Sequence, residues 1–93
     1  MDRATIIRAA GTAVMVDREA SHGNPENSFS MIASLWGKYL NLPIASHDVA
    51  AMMILFKVAR VRGNPTHADS WVDIAGYAAC GGEIATGGED ASK

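Results

Sequence analysis

Apolar residues recur at spacings of three and four in separate stretches of this chain, with no run of strict alternation, so the pattern is helical throughout. The first stretch predicts a helix from about Arg3 to Glu19, with Ile6, Ile7, Ala10, Val14 and Met15 as its stripe. Ser21-His22-Gly23-Asn24-Pro25 breaks it. Asn24 then fits as an N-cap with Pro25 in the first helical position, where a missing amide hydrogen costs nothing. That second helix carries Phe29, Ile32, Ala33, Leu35 and Trp36 towards Leu40.

Asn41 to Ala45 reads as a connector, after which Ser46 is expected to cap a third helix with Asp48 in its first turn. From Val49 to Phe56 this helix is apolar all round. It should therefore be the central helix, or lie partly in a subunit interface. A fourth helix is expected to start at the second Asn-Pro, Asn64-Pro65, and to carry Trp71, Ile74, Ala75, Ala78, Ala79, Gly81 and Gly82. Small residues at this density allow close approach of a neighbour. The expectation is one all-α, antiparallel four-helix bundle-like domain over residues 1–85, with 86–93 as a flexible tail.

Composition narrows the class. In 93 residues, 48% are apolar but only 6% aromatic, so the core must come from Ala, Met, Ile, Leu and Val. A small core of this kind often gains stability by oligomerising. The formal charge of −2 supplies no general attraction for nucleic acid. Cys80, the single cysteine, excludes an internal disulfide and a Cys-only zinc site. No leader pattern is present, and the longest apolar run is too short to span a bilayer. A cytoplasmic protein with no membrane partner is expected.

Charged chemistry concentrates at one turn. Lys57 and Arg60 end the third helix, Gly63-Asn64-Pro65 follows, and Asp69 and Asp73 open the fourth. Residues four apart share a helix face, and a short connection makes the two helices neighbours. The two cations can thus face the two carboxylates, which suits a phosphate-bearing ligand, a metal or an internal ion network. The loop and helix start at His22, Asn24, Glu26 and Asn27 form a second candidate, since free amides there attract an anion. His47 and His67 sit at helix starts without zinc-ligand spacing. Trp36, Trp71 and Tyr77 can stack on a base, though at helical spacing among Ile and Ala such residues more often serve the core. Cys80 has no His nearby in sequence and reads as buried.

Two stretches carry a resemblance: "REASHGNPENSF", and "DVAAMMILFKVARVRGNPTHADSWVDIAGYAA". Together they resemble a small domain of unknown function common in phages and prophages. That pattern is in turn similar to the MazG-like, all-α nucleotide pyrophosphohydrolase superfamily and its phage nucleotide-modification branch, over residues 17 to 84. The resemblance implies an antiparallel bundle, a dimer or tetramer, binding a nucleotide between helices or subunits. Active members hold Mg²⁺ with Glu-Glu-x-x-Glu on one helix and Glu-x-x-Asp on the next. Asp73 matches the final Asp, with Asp69 displaced to four residues before it; Glu26 and Asp48 are the only acids nearby on earlier helices. The Glu-Glu-x-x-Glu cluster is absent.

The expectation is a phage protein in the host cytoplasm that binds, or sequesters, a nucleotide-derived and possibly cyclic signal of host defence. His22, Asn24, Asn27, Lys57, Arg60, Asp69 and Asp73 are its expected ligand contacts, with no cofactor required. The alternative is a Mg²⁺-dependent nucleotide pyrophosphohydrolase using Glu26, Asp69 and Asp73 as metal ligands. A protein-interaction module is a further alternative.

Overall fold

The computed structural model describes residues 1–17 and 25–88, together with the backbone but not the side chains of Asp17 and Glu26. Among these residues all regular structure is helical: α1 (Arg3–Thr12), a π-helical segment (Ala13–Asp17), α2 (Pro25–Leu40), α3 (Ser46–Gly63) and α4 (Ala68–Thr86). No described helix is long and apolar enough to cross a membrane.

Asp2 starts α1: its carboxylate accepts the Thr5 amide hydrogen at 2.8 Å. The stripe that packs is Ile6, Ala10 and Val14, while Ile7 and Met15 stay exposed. Three of the five expected stripe residues thus pack. A spacing of four suits a helix that widens to π geometry at Ala13.

Pro25 opens α2 as expected, and Phe29 and Ala33 are its buried anchors. Its far end closes by a Schellman motif: Asn41 takes a left-handed φ of 57°, and Leu42 N–H donates to Gly37 O at 3.1 Å. Gly37 suits that closure because a Cβ there would lie 2.9 Å from the Leu42 carbonyl oxygen.

At α3 the N-cap position belongs to Ala45, not Ser46, and Ser46 is the first helical residue. Asp48 makes up for the missing cap side chain by reaching back, its Oδ2 accepting the Ala45 amide hydrogen at 2.8 Å. Asn64 does not cap α4 either. It ends α3, its N–H donating to Arg60 O at 2.9 Å, and α4 begins only after His67. In between, His67 N–H donates to Asn64 O, and the Trp71 indole N–H donates to Pro65 O at 2.9 Å. At its other end, α4 runs through Thr86 and closes on Gly87 and Gly88, both with positive φ; residues 89–93 of the expected tail lie outside the described residues.

The centre of the fold is α4, not α3. It packs most extensively on α3 and also touches α1, the π-helical segment and α2. Among the described residues α1 and α2 do not touch each other, so the helices form an open arrangement around α4. Gly81 explains how α3 comes so near: a Cβ there would stand 2.8 Å from Ala50 Cβ. The core cluster, Phe29, Ala33, Val49, Ala50 and Cys80, forms where α2, α3 and α4 meet. The side of α3 away from it is open, with Leu55 66% exposed and Met52, Phe56 and Val58 also exposed. Of the two placements expected for an all-apolar third helix, the central one is therefore overturned.

Candidate functional site

The Asn64–His67 turn folds α4 back along α3 and sets the end of one helix beside the start of the next. On that seam Lys57 Nζ lies 2.9 Å from Asp73 Oδ2, and both side chains are more than two-thirds buried. Asp73 also forms part of the wall of a cleft of about 110 Å³, together with Ala13 and Val14 from the π-helical segment and Val72, Gly76, Tyr77 and Cys80 from α4. Residues 73, 76, 77 and 80 are one helix face at spacings of three, one and three. Gly76 keeps the cleft narrow: a Cβ there would be 3.2 Å from Val14 Cγ1. The Tyr77 ring is half-buried with its centroid 6.3 Å from that of Phe29.

Of the four charges expected to converge, this pair alone meets. Arg60 is exposed, with its guanidinium 5.2 Å from the Phe56 ring centre, and no described ion pair joins it to Asp69. The reason is rotational: three residues turn a helix by about 300°, so Arg60 points some 60° away from Lys57 and off the packed face. Asp69 is exposed in the first turn of α4, where the helix dipole favours a negative charge. Lys57 Nζ is also 5.8 Å from the Phe56 ring, a second, weaker contact for its charge.

The helix-start candidate is only partly in view. His22 and Asn24 lie outside the described residues, as does the side chain of Glu26, while Asn27 is exposed on α2 and does not line the cleft. Among the described residues no three His, Cys, Asp or Glu side chains come close enough to hold a metal ion. His47 and His67 are exposed at helix starts, His47 Nε2 standing 3.6 Å from Asp48 Oδ1. Cys80 is buried, at 4% exposure. Trp36 packs on the core, whereas Trp71 lies across the start of α4 with its N–H tied to Pro65. The part of the site missed from sequence is the apolar wall: Ala13, Val14 and Gly76 carry no chemistry of their own, and only Gly76 shares a helix face with Asp73 and Tyr77, while Val14 is signalled by the stripe of the first helix.

Fold and site together define a small all-α domain with a cleft lined by Asp73, the acid of a largely buried ion pair with Lys57. Residues 5–85 match the model of a family described as Domain of unknown function (DUF6378), and the chain belongs to that family. It is similar to the Gene 55 protein of Mycobacterium phage D29, 42% identical over 76 residues, which is 82% of this chain and 50% of the relative. The Gene 55 protein of Mycobacterium phage L5 is 40% identical over 75 residues, 80% of this chain and 48% of the relative. The chain spans about half the length of these curated relatives. This is a small phage protein domain. No solved structure matches it.

Proposed function

We propose that the domain binds a nucleotide or nucleotide-derived signal, and that as a phage protein it acts by withholding that signal from the host's defence. The observation that supports this is the Lys57–Asp73 pair at 2.9 Å, whose acid, Asp73, lines a cleft that also presents Tyr77. A Lys–Asp pair offers both halves of nucleotide recognition: an ammonium for a phosphate oxygen, and a carboxylate that accepts from ribose hydroxyls or a base amino group. Tyr77 adds an aromatic face. Arg60, one turn from Lys57 and free of any described ion pair, supplies a second cation for phosphate. Asp69, Asn27, His22 and Asn24 are outer contacts of the same ligand in this reading.

The size of the cleft sharpens the proposal. About 110 Å³ is well short of the roughly 300–1,000 Å³ of a site that encloses a whole small-molecule ligand. One group of the ligand enters and the rest lies outside, against a neighbouring surface. A homo-oligomer supplies such a surface, which is why the binding form is proposed to be oligomeric. The enzymatic alternative, a MazG-like Mg²⁺-dependent pyrophosphohydrolase, requires Glu26, Asp69 and Asp73 to converge on one metal.

A thermal-shift screen against linear and cyclic nucleotides, with and without Mg²⁺, followed by chromatography of the ligand, tests the reading. A rise in Tm without metal and with the ligand recovered intact supports it, because a ligand that binds the folded state must raise Tm. Turnover to a monophosphate only with Mg²⁺ replaces it with the hydrolase. No shift with any nucleotide overturns both and leaves a module that binds protein.

A further inference from the structure

We infer that the outer face of α3 is a self-pairing seam, on which a second copy of this chain docks antiparallel about a twofold axis at Leu55. Asp48, Met52, Leu55, Ala59 and Arg62 follow one another at spacings of four, three, four and three. That is the repeat of a helix-pairing stripe, and at about 100° per residue all five lie within roughly 40° of one direction. The stripe is uncovered: Leu55 is 66% exposed, Met52, Ala59 and Arg62 are exposed, and the Asp48 side chain is 46% exposed. Exposed Phe56 flanks it on one side, and Ala51 and Val58 on the other. Lys57, on the packed side of the same helix, points nearly opposite.

The charges identify the occupant. The stripe is apolar in the middle, with an acid at its start and a base at its end, seven residues either side of Leu55. Turning a second copy end over end about Leu55 places Leu55 against itself, Met52 beside Val58 and Ala59, and Asp48 against Arg62 at both ends. A twofold interface requires this self-complementarity, in which each contact occurs twice. A parallel arrangement would set Arg62 against Arg62. The seam is about 21 Å long, ample for knobs-into-holes packing. Asp48 is already oriented, since one of its oxygens accepts the Ala45 amide hydrogen, and Arg62 has no ion pair among the described residues. A second exposed apolar stripe, Met31, Leu35 and Tyr39 on α2, lacks this signature: residues 31–42 carry Lys38 and no carboxylate.

The inference gives a location to the oligomer of the preceding proposal but does not need the nucleotide. Sedimentation equilibrium on the whole chain without nucleotide should show a dimer. Leu55→Glu should give a monomer with unchanged helical circular dichroism, since the position is open to solvent in the single chain. Arg62→Glu, which sets two acids together at each end, should weaken the dimer by about tenfold or more. Independently, Leu55→Cys should form a dimer cross-linked through residue 55 under mild oxidation, because the axis brings the two copies of that residue together, whereas Leu35→Cys should not. A monomeric wild type, or a dimer broken by Leu35→Glu but not by Leu55→Glu, overturns the seam. A failed nucleotide screen leaves the seam standing, and a monomeric wild type leaves the Lys57–Asp73 cleft open to its own test.

Discussion

Gly81 and Ala50 hold α4 and α3 together at the distance of a missing methyl group, because a Cβ on Gly81 would come within 2.8 Å of Ala50 Cβ. Ala50 is 1% exposed and belongs to the core cluster, so it has nowhere to move. Gly81→Ala should therefore destabilise the domain by about 1–2 kcal/mol: overpacking costs about 1–3, and the helix-propensity gain of up to about 1 offsets part of it. Gly82, with nothing within 4 Å of its would-be Cβ, is the control. Gly82→Ala should stabilise by about 0.5–1 kcal/mol, and chemical denaturation of the two variants should move in opposite directions.

The structural role of the Lys57–Asp73 pair and its proposed binding role can be measured separately. With the two side chains 20% and 28% exposed, Lys57→Met or Asp73→Asn alone should cost about 1–2 kcal/mol, between the values for exposed and fully buried pairs. A double-mutant cycle should return a favourable coupling of similar size. Asp73→Ala should also abolish any nucleotide-dependent rise in Tm while the dimer persists, because Lys57 and Leu55 lie on opposite sides of α3. Loss of the dimer together with the fold would make the carboxylate purely structural.

Acid should loosen the start of α1. The hydrogen bond from the Thr5 amide to Asp2 holds that carboxyl below its ordinary value of 3.8. A carboxyl depressed in the folded state stabilises it fully above the unfolded value and loses that contribution as pH falls through the folded one. The start of α1 should stay capped at neutral pH and fray below about pH 3.8. The Thr5 amide resonance, followed by NMR through an acid titration, should move with the Asp2 carboxyl, and Asp2→Ala should remove the transition.

Trp71 serves the turn. Its indole donates to the Pro65 carbonyl at 2.9 Å across the start of α4, a helix whose N-cap residue, His67, makes no side-chain capping bond. Trp71→Phe keeps most of the ring area and deletes that bond. The expected loss is about 0.5–1.5 kcal/mol, measured by denaturation.

Much of this was legible from residue spacing. Pro25 and Leu40 bound α2 as the pattern predicts, and Lys57 meets Asp73 because helix period and a short turn together fix which residues of two neighbours align. What escaped was whatever depends on space. Hydrophobicity allows α3 either the centre or a place in a subunit interface, and volume decides against the centre: the small residues of α4, Gly76 and Gly81, admit neighbours on several sides at once. Arg60 looked equivalent to Lys57 in the sequence, yet a sixty-degree rotation takes it off the seam. The Gly-Asn-Pro triplet also misleads. At residues 23–25 its Pro opens a helix, while at 63–65 its Asn ends one, because the chain there must first reverse direction before α4 can begin.

The position of α1 has a dynamic consequence. It and the π-helical segment reach the remaining described helices through α4 alone. Among the described residues the first seventeen thus meet the other helices at one interface, on which Val14 packs against the core cluster, and their unfolding is a smaller event than global denaturation. Ala13 and Val14 form one wall of the cleft, so every such excursion unroofs Asp73 and Tyr77. Amide exchange in α1 faster than in α3 and α4 would report the frequency of that opening, and with it the rate at which the proposed ligand could enter or leave.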